Sequence, residues 1–268
     1  MSYIEAVVLA IIQGLTEFLP VSSSGHLVLA QHWFGKFNET NLLYDIMLHL
    51  ATVMAIMVYF RQDLTTLVLG FFGYPTNGQS IFAGEERKTL GFVILASIPT
   101  AVLGLIIEQI GIQVLGRPDL VGGLFILTGM VLWMGRGGQA GRGMKDMTPI
   151  DAITVGVVQG IAVFPGISRS GATIAGGLWL GLDRELAARF SLLISIPAIL
   201  GATLLEVVKA FGQAQPPMAP FIVGMFVAAV VGYLSISLIL RLVRQDHFYR
   251  FSYYLWPLGT TVLLLTYW

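Results

Sequence analysis

The 268-residue chain contains no cysteine, which excludes disulfide staples and thiolate metal sites. Charge is also scarce. Only 11% of residues are Asp, Glu, Lys or Arg, against about 25% in soluble domains, so the chain lacks the polar surface needed to face water. Acidic and basic residues balance at fifteen each, and no excess of positive charge points to nucleic acid. The alternating ten-residue segments of a membrane β-barrel are missing as well. The first residues, MSYIEAVVLAIIQ, have neither a basic n-region nor a small-residue cleavage site, so this segment is expected to be retained rather than removed as a signal peptide.

Apolar residues fill the space that charge leaves. They make up 56% of the chain, and the mean hydropathy is +0.80. Runs such as LGFVILASIPTAVLGLII and FIVGMFVAAVVGYLSISLIL reach the roughly 20 residues needed to cross a bilayer. The fold class read from these runs is an all-α polytopic membrane protein.

The chain also repeats itself. Residues 11–27, IIQGLTEFLPVSSSGHL, fall without a gap on 157–173, VVQGIAVFPGISRSGAT. Gln13 meets Gln159, Gly14 meets Gly160, Phe18 meets Phe164, Ser22 meets Ser168, Ser24 meets Ser170 and Gly25 meets Gly171; further on, Tyr44 falls on Phe190. Each copy is a short helical run, a break at Pro and Gly among serines, and a second short run. Irregular backbone at membrane depth is tolerated only where protein or a water-filled cavity surrounds it. Both segments are therefore expected to be re-entrant helix–loop–helix hairpins, at about 4–34 and 150–182. Interrupted segments at corresponding positions of two halves point to a site where the halves meet.

Three spans are expected after each hairpin, at roughly 42–61, 89–110 and 119–135, then 186–208, 217–241 and 250–267. Residues 1–135 form a first repeat, 136–149 a basic, Gly-rich cytoplasmic linker, and 150–268 a second repeat. Three crossings per half is an odd number, so the halves run in opposite senses, an inverted-topology repeat. Sorting charges by side puts Arg61, Arg87, Lys88, Arg136, Arg142, Lys145, Arg184, Arg189, Arg241, Arg244 and Arg250 together, against Lys36, Arg117 and Lys209. The richer side is cytoplasmic by the positive-inside rule, which leaves both termini outside. Arg169 belongs to neither side.

An arginine near the bilayer centre costs at least about 2.5–3.5 kcal/mol, so Arg169 is a functional candidate. Gly166, Ser168, Ser170, Gly171 and Thr173 surround it with hydroxyls and open backbone amides leading into a helix N-terminus. That is an anion site, to which Arg adds bidentate phosphate geometry. The first hairpin supplies other groups. Gln13 and Glu17 are four apart on one helical face, and Ser22, Ser23, Ser24 and His26 follow the break. Where the copies differ in chemistry, Glu17 meets Val163, Ser23 meets Arg169 and His26 meets Ala172. The scaffold is duplicated and the reactive groups are divided. Brought together, a carboxylate, a hydroxyl, an imidazole and an arginine are parts for phosphoryl transfer. Asp45 and His49, also four apart in an apolar span, either support that site as a second shell or pair with each other. Glu108 and Glu206 are expected at interfaces.

QGLTEFLPVSSSGH (13–26) and PGISRSGAT (165–173) resemble the two signature motifs of the undecaprenyl-diphosphate phosphatases, the bacitracin-resistance family of bacterial inner membranes, and the likeness runs the length of the chain. It implies hydrolysis of a polyprenyl diphosphate lipid, undecaprenyl diphosphate, to the monophosphate, which recycles the lipid carrier of peptidoglycan synthesis. It also implies an active site opening to the periplasm. On this resemblance Gln13 and Glu17, then Ser23 and His26, carry the first motif; Ser168, Arg169, Ser170 and Thr173 carry the second. Gln at position 13 leaves one carboxylate for the Mg²⁺ or Ca²⁺ that a pair would hold. Two mechanisms stand open. Either Ser23 attacks phosphorus while Glu17 or His26 takes its proton, or Glu17 activates a water and Ser23 only donates a hydrogen bond. A polyprenyl-phosphate transporter using the same cradle is the alternative function. Gly-rich spans such as GGLFILTG allow close helix packing within one chain or between the chains of a homodimer.

Overall fold

The computed structural model describes residues 2–35, 39–76, 80–137, 141–209 and 218–268. Lys36, residues 138–140 of the linker and residue 217 at an expected span start lie outside them. Helix accounts for 79% of the described residues, and no strand occurs among them. In chain order the helices are α1 (Tyr3–Thr16), α2 (Ser23–Trp33), α3 (Glu39–Tyr59), α4 (Arg61–Phe71), α5 (Glu86–Glu108), α6 (Ile112–Leu115) and α7 (Pro118–Met134). They continue with α8 (Pro149–Ile161), α9 (Arg169–Trp179), α10 (Arg184–Lys209), α11 (Met218–Arg244) and α12 (Ser252–Tyr267), the last preceded by a 3₁₀ turn at Phe248–Phe251.

The chain is a multi-pass helical membrane protein. α5, α10 and α11 are long and apolar enough to cross a bilayer, with 23, 26 and 27 residues. α3 runs into α4 across a 72° bend. α4 falls between the expected spans 42–61 and 89–110, where the sequence suggests no element. α7 and α12, at 17 and 16 residues, fall short of the roughly 20 that a perpendicular crossing needs. They pack on each other, and their backbones come close where glycine allows it. A Cβ on Gly122 would sit 3.0 Å from the Gly259 carbonyl oxygen. Ile94, Leu105, Phe226, Leu234 and Leu265 are exposed, which suits a surface in contact with lipid.

The two interrupted segments fold by the same local rules. Ser2 caps α1 in a capping box: the Ser2 N–H donates to Glu5 Oε2 at 2.8 Å and the Glu5 N–H donates to Ser2 Oγ at 3.3 Å. Thr148 and Asp151 repeat the box on α8, with Pro149 at the first helical position. After the breaks, Ser22 caps α2 by accepting from Gly25 N–H at 3.3 Å, and Ser168 caps α9 by accepting from Gly171 N–H at 3.1 Å. Caps and second-helix boundaries all recur 146 positions on, α2 ending at Trp33 and α9 at Trp179.

Helix pairings cross between the halves. α1 packs on α11, α5 on α8, α7 on α12, and α3 on both α10 and α11. The described part of the linker, read from sequence as a plain connection, is bound tightly. Arg142 makes an ion pair with Asp151 at 2.6 Å and donates to the carbonyls of Leu180 and Asp146, each at 2.7 Å.

The hairpin tips touch. Ser22 Oγ accepts from the Gly166 N–H at 3.0 Å, and Thr128 of α7 donates to the Gly166 carbonyl at 2.8 Å. Gly166 has φ +104°, and a Cβ there would lie 2.7 Å from Leu124 Cβ and 2.8 Å from the Val121 carbonyl oxygen. Both conformation and space demand glycine. Gly166→Ala is therefore expected to cost about 1–3 kcal/mol and to lower the thermal unfolding midpoint in detergent. Gly123→Ala, with nothing within 4 Å of the added carbon, should leave that midpoint in place.

Candidate active site

The polar centre is built around Glu17, the residue after α1, whose N–H still closes the helix onto the Gln13 carbonyl at 2.9 Å. Its side chain is 1% exposed. A bare carboxylate so placed would be prohibitively costly, and four groups converge on it. Arg169, the first residue of α9, makes an ion pair with Oε1. Ser23 Oγ donates to Oε2 at 2.6 Å, Gln13 Nε2 donates to Oε2 at 2.8 Å, and His49 Nε2 lies 3.5 Å from Oε2. The structure thus brings Gln13, Glu17 and Ser23 of one hairpin, Arg169 of the other and His49 of α3 to one place.

The surrounding hydroxyls hold the second tip. Ser168 Oγ and Ser170 Oγ are 3.3 Å apart, and the Ser168 N–H donates to Thr128 Oγ1 at 3.2 Å. Thr173 donates to the Arg169 carbonyl at 2.8 Å and meets Ser191 Oγ. Gly171 sits against Pro20 of the first hairpin. Ser24 lies 3.5 Å from Ser22. Arg169 and Ser170 start α9, where the first backbone N–H groups have no partner within the helix and point outward. Glu17, Phe18, Arg169, Ser170, Ser191, Leu192 and Ser195 pack closely around this point and leave no space for a water molecule between them.

His26 stands elsewhere. Its Nδ1 donates to the Ser22 carbonyl at 2.8 Å, which leaves Nε2 to accept from the Tyr254 hydroxyl of α12 at 2.8 Å. The ring also packs against Phe125 and lies nearly parallel to Tyr254. Among the described residues no hydrogen bond joins His26 to Glu17, Ser23 or Arg169. Asp45 and His49 do not pair through their side chains. The Asp45 carboxylate accepts from Gln31 Nε2 at 2.8 Å on each oxygen, while His49 Nδ1 donates to the Asp45 main-chain carbonyl at 2.7 Å. Glu108 and Glu206 share Lys209 at the ends of α5 and α10.

Sequence reasoning missed Ser191, Ser195, Thr128 and Tyr254. A signal existed for the first two, because the 146-residue offset carries Asp45 onto Ser191 and His49 onto Ser195. Thr128 and Tyr254 lie in apolar helices, and only the packing shows their use. A divalent cation does not fit the donor set. Mg²⁺ and Ca²⁺ need several oxygen ligands. Glu17 is the only carboxylate at the centre, with one oxygen on Arg169 and the other accepting from Ser23 and Gln13. No group of three His, Asp or Glu that could hold a metal occurs among the described residues.

A carboxylate, a hydroxyl and a guanidinium at a helix start, buried between two broken helices, define a membrane protein built to engage an anionic headgroup. The chain belongs to the family described as bacitracin resistance protein BacA, whose model matches residues 6–261. It is 45% identical over 274 residues to the undecaprenyl-diphosphatase of Desulfosudis oleivorans, an alignment covering 98% of each chain. It is 41% identical to that of Carboxydothermus hydrogenoformans over 99% of this chain and 98% of the relative. The figure for Desulfatibacillum aliphaticivorans is 40%, over 98% and 99%.

Removing one partner of a buried ion pair leaves the other charge stranded, at about 3–5 kcal/mol. Glu17→Ala and Arg169→Ala are each expected to lose stability on that scale. The double variant should lose clearly less than the two together, as read by thermal unfolding in detergent.

Proposed function

We propose that this protein hydrolyses undecaprenyl diphosphate to undecaprenyl phosphate and inorganic phosphate in the bacterial inner membrane, recycling the lipid carrier of peptidoglycan synthesis and so conferring bacitracin resistance. The observation that carries the reading is the 2.6 Å hydrogen bond from Ser23 Oγ to Glu17 Oε2, made beside Arg169. A hydroxyl already donating to a carboxylate next to a phosphate-binding guanidinium is an activated nucleophile.

The diphosphate competes with Glu17 for Arg169 and the first amides of α9, assisted by Ser168, Ser170 and Thr173. Ser23 Oγ attacks the terminal phosphorus as its proton passes to Glu17. The bond from that phosphorus to the bridging oxygen breaks, and its electron pair leaves on undecaprenyl phosphate. Water then splits the phosphoserine, and one of its protons returns to Ser23 Oγ. The existing Ser23–Glu17 bond favours this route over direct attack by water. No step passes through a metal ion. Gln13 holds Glu17 in place, and Ser22 holds the tips together through Gly166. His26, held by Ser22 and Tyr254, takes no part in these steps.

The two halves, 1–135 and 150–268, are read as an inverted-topology repeat joined by the cytoplasmic linker 136–149. Support comes from caps and helix boundaries recurring 146 positions apart, and from packing in which α1 on α11 is matched by α8 on α5. The charge asymmetry supports periplasmic termini, and the family resemblance, not the charge count, supports a site that opens to the periplasm.

Phosphate release from undecaprenyl diphosphate by the purified protein in detergent tests the assignment. Wild type is expected to release phosphate, and Ser23→Ala and Arg169→Ala to fall by at least about 10²–10³-fold. Arg169→Lys should recover little, because a point charge lacks the planar fork. Folded wild type that releases none would remove the phosphatase reading.

A further inference from the structure

Of the four groups around the Glu17 carboxylate, three can only donate: Arg169, the Ser23 hydroxyl as it is bonded, and Gln13 Nε2. His49 is the exception. Its Nδ1 carries the hydrogen given to the Asp45 carbonyl, so in the neutral ring Nε2 has a lone pair, and that lone pair faces Glu17 Oε2 at 3.5 Å. Two acceptors facing each other leave room for one proton between them. A proton taken from Ser23 arrives on Oε2, which also accepts from Gln13. His49 Nε2 is the next acceptor in reach, and it turns the acceptor–acceptor contact into an N–H to carboxylate hydrogen bond.

We propose that His49 is a positioning residue that acts through Glu17 by receiving the proton of Ser23. The inference rests on the phosphatase reading above. The Ser23 O–H bond breaks as the Oγ–P bond forms, and the proton moves to Glu17 Oε2 and on to His49 Nε2. It is the one proton released when a diphosphate ester is split into two phosphates. The His49 side chain is 24% exposed while that of Glu17 is 1% exposed, so the ring is the side from which that proton leaves. His26 cannot serve in this way, since both of its nitrogens are engaged by Ser22 and Tyr254.

Other charges lie further away. Apart from Glu17 and Arg169, the titratable group near His49 is Asp45, one turn earlier on its own helix and held by Gln31. Of the helices packed on α3, α1 carries Glu5 besides the adjoining Glu17, α4 carries Arg61 and Asp63, α11 has no charged residue before Arg241, and α10 has none between Arg189 and Glu206. Arg189 is occupied by Asp63 and Glu185.

The test is phosphate release from undecaprenyl diphosphate by purified His49→Gln and His49→Ala, each shown to be folded by thermal unfolding. His49→Gln keeps the size of the side chain but cannot take the proton. Its kcat is expected to fall on the order of 10²-fold, with KM within about twofold of wild type. Added imidazole should restore turnover in His49→Ala and leave Glu17→Ala inactive, a result that a merely structural role would not produce. The proposal is overturned if His49→Gln keeps the wild-type kcat, or if His49→Ala is inactive and does not respond to imidazole. Either of those results, with wild type active and Arg169→Ala dead, removes the His49 assignment alone; an inactive wild type removes the phosphatase reading instead.

Discussion

The architecture depends on one buried ion pair. Glu17 and Arg169 lie 152 residues apart in the chain, one in each hairpin, and neither could stay buried without the other. Their meeting requires two chain breaks pointed at each other, and the breaks require helices short enough to end in the interior. Those ends expose backbone groups that need partners, which explains the serine caps, the bridge from Ser22 to Gly166 and the Thr128 brace on α7. The same pair gives the resting site its chemistry. Arg169 is neutralised by Glu17, whose other oxygen Ser23 contacts; in the mechanism proposed above a phosphate takes the place of Glu17 and frees that carboxylate.

The repeat proposed above gives a route by which such a pair could be assembled. The common scaffold supplies capping box, helix, break, capped second helix and a long helix with a polar pair one turn apart. Divergence then fills equivalent positions with unlike chemistry. Ser23 stands where the other copy has Arg169, and Asp45 and His49 stand where the other has Ser191 and Ser195. In the mechanism proposed above, one half carries the groups that handle protons and the other the groups that hold an anion.

Much of this could be read from the residues because the informative features are local. Capping boxes, Gly/Pro breaks and a shared offset all survive in one dimension, and so did the conjunction of Glu17, Ser23 and Arg169. The six expected spans lie within three residues of helix ends in the structure. What escaped was set by packing. Nothing in YLWPL shows that Tyr254 meets His26, and nothing in DIMLH shows that the Asp45 side chain turns to Gln31 while its carbonyl holds His49. Ser191 looks like an ordinary helix serine until α10 is laid against α9. The bend into α4 was missed for a related reason: RQDLTTLVLGF is amphipathic, and its hydropathy is too low to mark it as part of a span.

Arg142 has a mechanical meaning beyond the joining of halves. Its guanidinium binds Asp151 at the start of α8 and the carbonyl of Leu180, just after α9, while its own N–H donates to the Gly181 carbonyl. The base of the second hairpin is thus buckled shut. An open hairpin can splay like tweezers, whereas a buckled one moves only as a single lever. The arms that carry Arg169 are thereby held at both ends, at the tip by the bond from Gly166 to Ser22 and at the base by Arg142.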